Sequence, residues 1–250
     1  MDDLPEPIPA ATLVLMRPAP AGPPQLLMME RTSSMAFAAG ALVFPGGRID
    51  PDDEALAERI GSGVEYAPAR IAAIRETIEE TGLAPALLPA PDAAMAGQLR
   101  QELDEGTPLS ALIDALGFSI DFHALTPFAR WCPTFKEARR FDTMFFLAEA
   151  PAGAVSAAEA EAVRTFWATA EEVLQEADAG HARIIFPTRR NLERLALFSS
   201  IEEARADAEL HPVRKIVPWI EERDAAQWLC IPENLGYPVT AELARTARRG

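Results

Sequence analysis

The chain has 250 residues, 49% of them hydrophobic, which is enough for one large core with additions. A formal net charge of -15, from 38 acidic against 23 basic residues, sets the surface against nucleic-acid phosphates and argues against duplex binding. Cys132 and Cys230 are too few for a disulfide scaffold and too far apart in sequence for a structural zinc site. The acidic start, Met1 to Glu6, lacks the basic region of a signal peptide, and no apolar run reaches the roughly 18 residues of a membrane span. The end, Ala247-Arg248-Arg249-Gly250, is not a peroxisomal address of the Ser-Lys-Leu type. We therefore expect a cytoplasmic protein whose partner is a small molecule, with neither nucleic acid nor membrane involved.

In chain order, Ala10 to Met16 and Leu26 to Met29 are short apolar runs around a Pro/Gly-rich turn and predict a hairpin. Ala41 to Phe44 is a brief strand stopped by Pro45-Gly46-Gly47, where the glycines permit close approach of a ligand or another backbone. A short helix is expected over Asp53 to Ile60. Pro68 then opens a stronger one, Ala69 to Thr81, with Ile71, Ile74 and Ile78 as its buried stripe and Gly82 as its stop. Pro89 to Gly117 reads as a helical insertion. Leu125 to Cys132, Phe141 to Ala148 and Val163 to Trp167 are further strands, and Ala170 to Ala177 is a helix. Two helices follow from Thr188 to Leu210, then late edge strands at Val213 to Val217 and Trp228 to Ile231.

The informative segment is Arg75-Glu76-Thr77-Ile78-Glu79-Glu80-Thr81-Gly82-Leu83. Glu76, Glu79 and Glu80, spaced three and four apart on a helix, share one side, and like charges so placed repel. A solvated acidic face is the plain reading of those charges alone. A hard divalent cation such as Mg²⁺, which prefers oxygen ligands, would offset the repulsion.

This run resembles the second half of the Nudix hydrolase signature without a mismatch. In that family a glycine, five residues, a glutamate and seven residues precede the arginine. Here Gly47 stands 28 positions before Arg75 where the family spacing is 14, and Ala67 occupies the place of the signature glutamate counted back from Arg75. Glu65 and Asp50 are the candidates to compensate. The resemblance extends from about Thr12 to Pro238, through Arg31 to Phe37, Val43 to Gly47, Leu125 to Trp131, Arg139 to Thr143, Phe186 to Thr188 and Gly236 to Pro238. It is to the branch of the peroxisomal coenzyme A diphosphatase of mammals and its bacterial relatives.

The resemblance implies a Nudix α/β/α sandwich with a mixed sheet. Residues 8–240 would form a single domain, with insertions at about 48–66 and 89–117 and a helical C-terminal extension. It implies Mg²⁺ or Mn²⁺ held by Glu76, Glu79 and Glu80, with Arg75 orienting the carboxylates. Gly46 and Gly47 would let the backbone pass close to the metal-bound diphosphate. Glu161, six residues before Trp167, would be a further ligand or base. Arg139 and Arg140 suit phosphoryl oxygens, although a solvated pair at the start of a strand is the plain alternative. Trp131 is the aromatic candidate to line the substrate, and Asp142 would brace a neighbouring arginine. His123 and His181 stand alone on loops and read as structural. The implied reaction is hydrolysis of the diphosphate of coenzyme A or its acyl esters. ADP-ribose or NADH would satisfy the same cluster, a catalytically weak ligand-binding protein is the rival class, and a homodimer stays open.

Overall fold

The computed structural model describes residues 5–32, 40–134, 140–151 and 162–247. The chain runs β1 (Ile8–Arg17), β2 (Gln25–Arg31), β3 (Ala41–Val43), β4 (Gly46–Arg48), α1 (Pro51–Ile60), α2 (Ala67–Thr81) and β5 (Leu87–Leu88). It continues with α3 (Ala93–Asp104), α4 (Leu109–Leu116), β6 (Ser119–Ile120), β7 (Thr126–Trp131), β8 (Phe141–Glu149), β9 (Ala162–Thr169) and α5 (Ala170–Asp178). The last third holds β10 (Arg183–Ile184), α6 (Phe186–Leu195), α7 (Ile201–Leu210), β11 (Lys215–Ile216), β12 (Trp219–Arg223), β13 (Ala226–Cys230), β14 (Ala241–Leu243) and α8 (Ala244–Ala247).

The expected hairpin is β1 and β2, antiparallel with Met16 opposite Leu26. Strand β1 is the spine of the sheet: it runs parallel to β8 from Ile8–Phe141 to Met16–Glu149, and its other edge also receives β4. The path β10-β3-β2-β1-β8-β7-β11 mixes parallel and antiparallel pairs. Successive side chains of β1 enter different cores, as a period of two requires. Ala11, Leu13 and Leu15 pack with α1, α2, α3 and α4, whereas Val14 and Met16 pack with α5, α6 and α7. The result is an α/β/α sandwich, with two buried layers separated by a mixed sheet.

Helix α2 is the central element of the front layer. Pro68 lies in its first turn, Ile71, Ile74 and Ile78 are fully buried, and Gly82 ends it in the left-handed region at φ 71°. The expected insertion after α2 is two helices, α3 and α4, closed by their own two-stranded ribbon of β5 and β6. Of the late strands, β11 extends the main sheet beside β7. By contrast, β12, β13 and β14 form a separate three-stranded sheet. No described helix is long and apolar enough to cross a membrane.

Candidate active site

Strand β4 lies along β1, with Gly46 opposite Thr12 and Gly47 opposite Ala11, and this places two glycines against the carboxylate end of α2. The Gly46 N–H donates to Glu80 Oε2 at 2.8 Å. A Cβ on Gly47 would overlap the Glu76 carboxylate, and one on Gly46 would overlap the Ala11 carbonyl. Close approach demands glycine at both positions, and Gly46 also takes φ 156°, a conformation that other residues rarely adopt.

Arg75, 7% exposed, is the hub of the arrangement. Its Nε donates to Asp53 Oδ1 at 3.1 Å and its Nη2 to Asp53 Oδ2 at 2.9 Å, a bidentate pair. Nη2 also donates to the Arg48 carbonyl at 2.9 Å. Nη1 donates to Glu76 Oε1 at 3.0 Å and Glu79 Oε2 at 3.2 Å. One guanidinium therefore ties α1, β4 and two glutamates of α2 into a single unit.

Burial and pairing compete at these groups. At Arg75 burial works against the charge, but the hydrogen bonds it donates to Asp53 and the charges of Glu76, Asp53 and Glu79 outweigh it and raise the pKa further. Burial pushes the Asp53 carboxyl up and the Arg75 guanidinium pulls it back; burial has the larger effect. Burial likewise raises Glu79 against the pull of Arg75. We regard Asp53 and Arg75 as an ion pair, because two guanidinium N–H groups and the Asp50 backbone N–H all donate to a carboxylate that is 0% exposed.

Asp53 corrects the expectation at Ala67. Counted forward from Gly47, the acidic position of the signature falls on residue 53, and that residue meets Arg75. On that count the extra residues lie between Asp53 and Arg75, with an aspartate where the signature it resembles has glutamate. Ala67 is 4% exposed and packs in the front core with Leu56 and Ala57, where a glutamate would be desolvated. Of the proposed substitutes, Asp50 is more than half exposed and only 3.6 Å from Arg75 Nη2. Glu65 is exposed, and its carbonyl accepts from Arg70.

The other expected residues are more scattered. Glu161 and Arg139 lie outside the described residues. Arg140 lies just before β8, its carbonyl accepting from the Ile8 N–H, and its buried Nε has no hydrogen-bond partner among the described residues. Trp131, the aromatic candidate for the substrate, is buried. It is 1% exposed in the back layer, donates from Nε1 to Asn191 Oδ1 and Tyr237 Oη, and packs edge-on against Phe186 and Tyr237. Asp142 does brace an arginine, namely Arg130, through Nε at 2.8 Å and Nη2 at 2.9 Å, and it also pairs with Lys215. His123 and His181 are exposed.

Glu76, Glu79 and Glu80 are hard oxygen donors on one helix face, which suits Mg²⁺ or Mn²⁺ in chemistry. Two of them abut the glycine pair, and two are held by Arg75. Among the described residues no three Asp, Glu, His or Cys side chains already converge as a ligand group. The donors fit a hard cation by type and position on the helix, with their side chains still to be drawn together.

No family model matches the chain, and no curated protein matches it. Among solved structures it is similar to a NUDIX hydrolase from Alicyclobacillus acidocaldarius, with 26% identity and a TM-score of 0.71 over 80% of this chain and 96% of that one. It is also similar to the MutT protein from Methanosarcina mazei Go1, with 16% identity and a TM-score of 0.45 over 77% and 96% of the two chains. A third likeness is to the NUDIX domain of Shewanella oneidensis NrtR complexed with ADP ribose, with 16% identity and a TM-score of 0.40 over 68% and 78%.

Proposed function

Taking the chain as a Nudix-superfamily diphosphatase, in keeping with its fold and its likeness to the Alicyclobacillus hydrolase, we propose that it hydrolyses the diphosphate of coenzyme A or acyl-coenzyme A. The products would be adenosine 3',5'-bisphosphate and 4'-phosphopantetheine or its acylated form. One observation carries the hydrolytic reading: of three glutamates on one helix face, Glu76 and Glu79 are anchored through Arg75 to a fully buried aspartate and Glu80 accepts from the Gly46 N–H, with two glycines packed against them.

Glu76, Glu79 and Glu80 would hold Mg²⁺ or Mn²⁺. When bound there, the cation supplies Lewis-acid polarisation of the phosphoryl group and a water of lowered pKa. Arg75 keeps Glu76 and Glu79 oriented, and the Gly46 N–H fixes one oxygen of Glu80. The bare Cα of Gly47 leaves the Glu76 carboxylate room beside the strand. Glu161 would serve as a further ligand or base, and Arg139 and Arg140 would contact phosphate outside the metal cluster. In a chain of net charge -15, a local cation has to reverse the potential for a diphosphate to bind.

The choice of coenzyme A comes from the resemblance along the chain, and residues 8–240 are taken as one domain on the same ground. ADP-ribose or NADH would suit the same carboxylates. The test is turnover with Mg²⁺ or Mn²⁺ of coenzyme A, acetyl-coenzyme A, dephospho-coenzyme A, ADP-ribose and NADH in parallel. A higher kcat/KM for coenzyme A than for its dephospho form supports recognition of the 3'-phosphate. Preference for ADP-ribose or NADH would remove the coenzyme A assignment and leave the hydrolase. No turnover of any of them, with metal binding retained, would favour a ligand-binding protein.

A further inference from the structure

Adjacent carboxylates on α1 hold different parts of the molecule. Asp53 is buried against Arg75 of α2. Asp52 reaches α4 instead, accepting from Ser110 Oγ at 2.6 Å and from the Ser110 N–H at 3.3 Å. At the far end of α1, Arg59 pairs with Asp114 of α4 at 2.6 and 3.1 Å. Helix α4 belongs to the inserted segment, and that segment is also tied to α2 where it ends. Arg70 of α2 donates from Nη1 to the carbonyls of Phe122 and Leu125, just past the insertion. The insertion thus leaves α2 at Gly82, returns to it at Arg70, and is fastened to α1 in between.

From this geometry we propose that Ser110 and Asp52 are positioning residues for the carboxylate site. The contact fixes α1 against α4, α1 carries Asp53, Asp53 sets Arg75, and Arg75 holds Glu76 and Glu79. This rests on the reading that those glutamates hold the divalent cation. The two links between α1 and α4 are not equivalent. Arg59 and Asp114 are both about half exposed, and an ion pair of that kind contributes little. The Ser110 contact is partly buried, is charge-assisted, and sits one residue from Asp53. It is the link able to transmit a displacement, and small misplacements of reacting groups are costly in rate.

The test uses the full chain with Ser110→Ala, Ser110→Thr, Asp52→Asn and Asp114→Asn. Mn²⁺ affinity is measured by titration calorimetry, kcat and KM with coenzyme A and ADP-ribose, and amide exchange across α2 in the metal-free protein. In Ser110→Ala, Mn²⁺ affinity and kcat should each fall about 3- to 10-fold, below the ~10–100-fold typical of groups bonded directly to a ligand. KM should stay within about twofold, and exchange at Glu76 to Thr81 should rise. Ser110→Thr should restore all three, Asp52→Asn should show the same pattern more weakly, and Asp114→Asn should change none. A Ser110→Ala protein of lowered Tm with wild-type Mn²⁺ affinity and kcat would make the contact merely structural and overturn the proposal. So would unchanged exchange across α2, whatever the metal result. If Ser110→Ala does not fold, Asp52→Asn decides on the same measurements. A wild type that neither binds Mn²⁺ nor turns over a diphosphate fails the functional reading instead, and with it the basis of this one.

Discussion

The layers on either side of the sheet are both pinned by buried arginines, but the charge around those arginines differs. In the back layer Arg194 donates from Nε and Nη2 to one oxygen of Asp207, donates to the Phe128 carbonyl and stacks over the Phe128 ring. Arg190 bridges Glu193 and Glu242. Each guanidinium there meets one or two carboxylates, and the charge is close to balanced. In the front layer Arg75 alone serves Asp53, Glu76 and Glu79, with Glu80, also on α2, accepting from the Gly46 N–H of β4. Balanced pairs give structure, whereas an excess of carboxylates is a repulsion that a bound cation would offset. Buried ion pairs are expensive to break in either layer, so stability alone does not separate them.

The sharpest way to break this comparison is to remove one arginine from each layer. Arg75→Gln strands Asp53 and should cost roughly 3–5 kcal/mol, read by urea denaturation, together with nearly all activity. Arg194→Gln should lose a similar amount of stability, also about 3–5 kcal/mol, yet keep kcat per folded molecule near wild type. Equal activity losses in the two variants would erase the distinction between the layers. Gly47→Ala comes next. Its methyl displaces the Glu76 carboxylate, and activity should drop on the order of 100-fold with KM little changed, as for a misplaced catalytic group.

Much of the front layer was legible because local signals agreed there. Pro68, the Ile71, Ile74 and Ile78 stripe and Gly82 define α2, and its spacing alone puts the three glutamates on one side. Asp53 was missed because the signature was counted back from Arg75, across the inserted residues, to Ala67. Counting forward from Gly47 reaches it directly. The burial of Trp131 in the back layer was not legible for a different reason. A period of two predicts alternation but not which layer a residue enters, and β7 changes register against β8 between Pro127 and Ala129. Of the small sheet of β12, β13 and β14 only β13 was foreseen, as Trp228 to Ile231, since pairing between distant segments leaves no local pattern.

Two smaller effects sharpen the same contrast. Trp131→Phe keeps the ring and loses the indole donor to Asn191 and Tyr237, at a cost of about 1–2 kcal/mol in thermal unfolding. Its KM for any substrate should match wild type, whereas a raised KM would return Trp131 to the substrate site. At Asp142, burial raises the carboxyl pKa, but the hydrogen bonds and charges of Arg130 and Lys215 outweigh it and hold it below the ordinary 3.8. A depressed carboxylate contributes stability that is full above 3.8 and is lost as pH falls through the folded value. Asp142→Asn should therefore be less stable by about 1 kcal/mol at neutral pH, discounted because Arg130 and Lys215 are well exposed. Denaturation between pH 7 and 2 should show that gap closing only below about pH 4.

The account stands or falls on where the cation binds. Calorimetric titration of Mn²⁺ into the wild type and into a Glu79→Gln, Glu80→Gln double variant tests this most directly, with Arg194→Gln as the back-layer control. The account predicts binding in the wild type and the control, and its loss in the double variant while the protein remains folded. Unchanged Mn²⁺ affinity in the double variant would contradict it and place the metal away from α2.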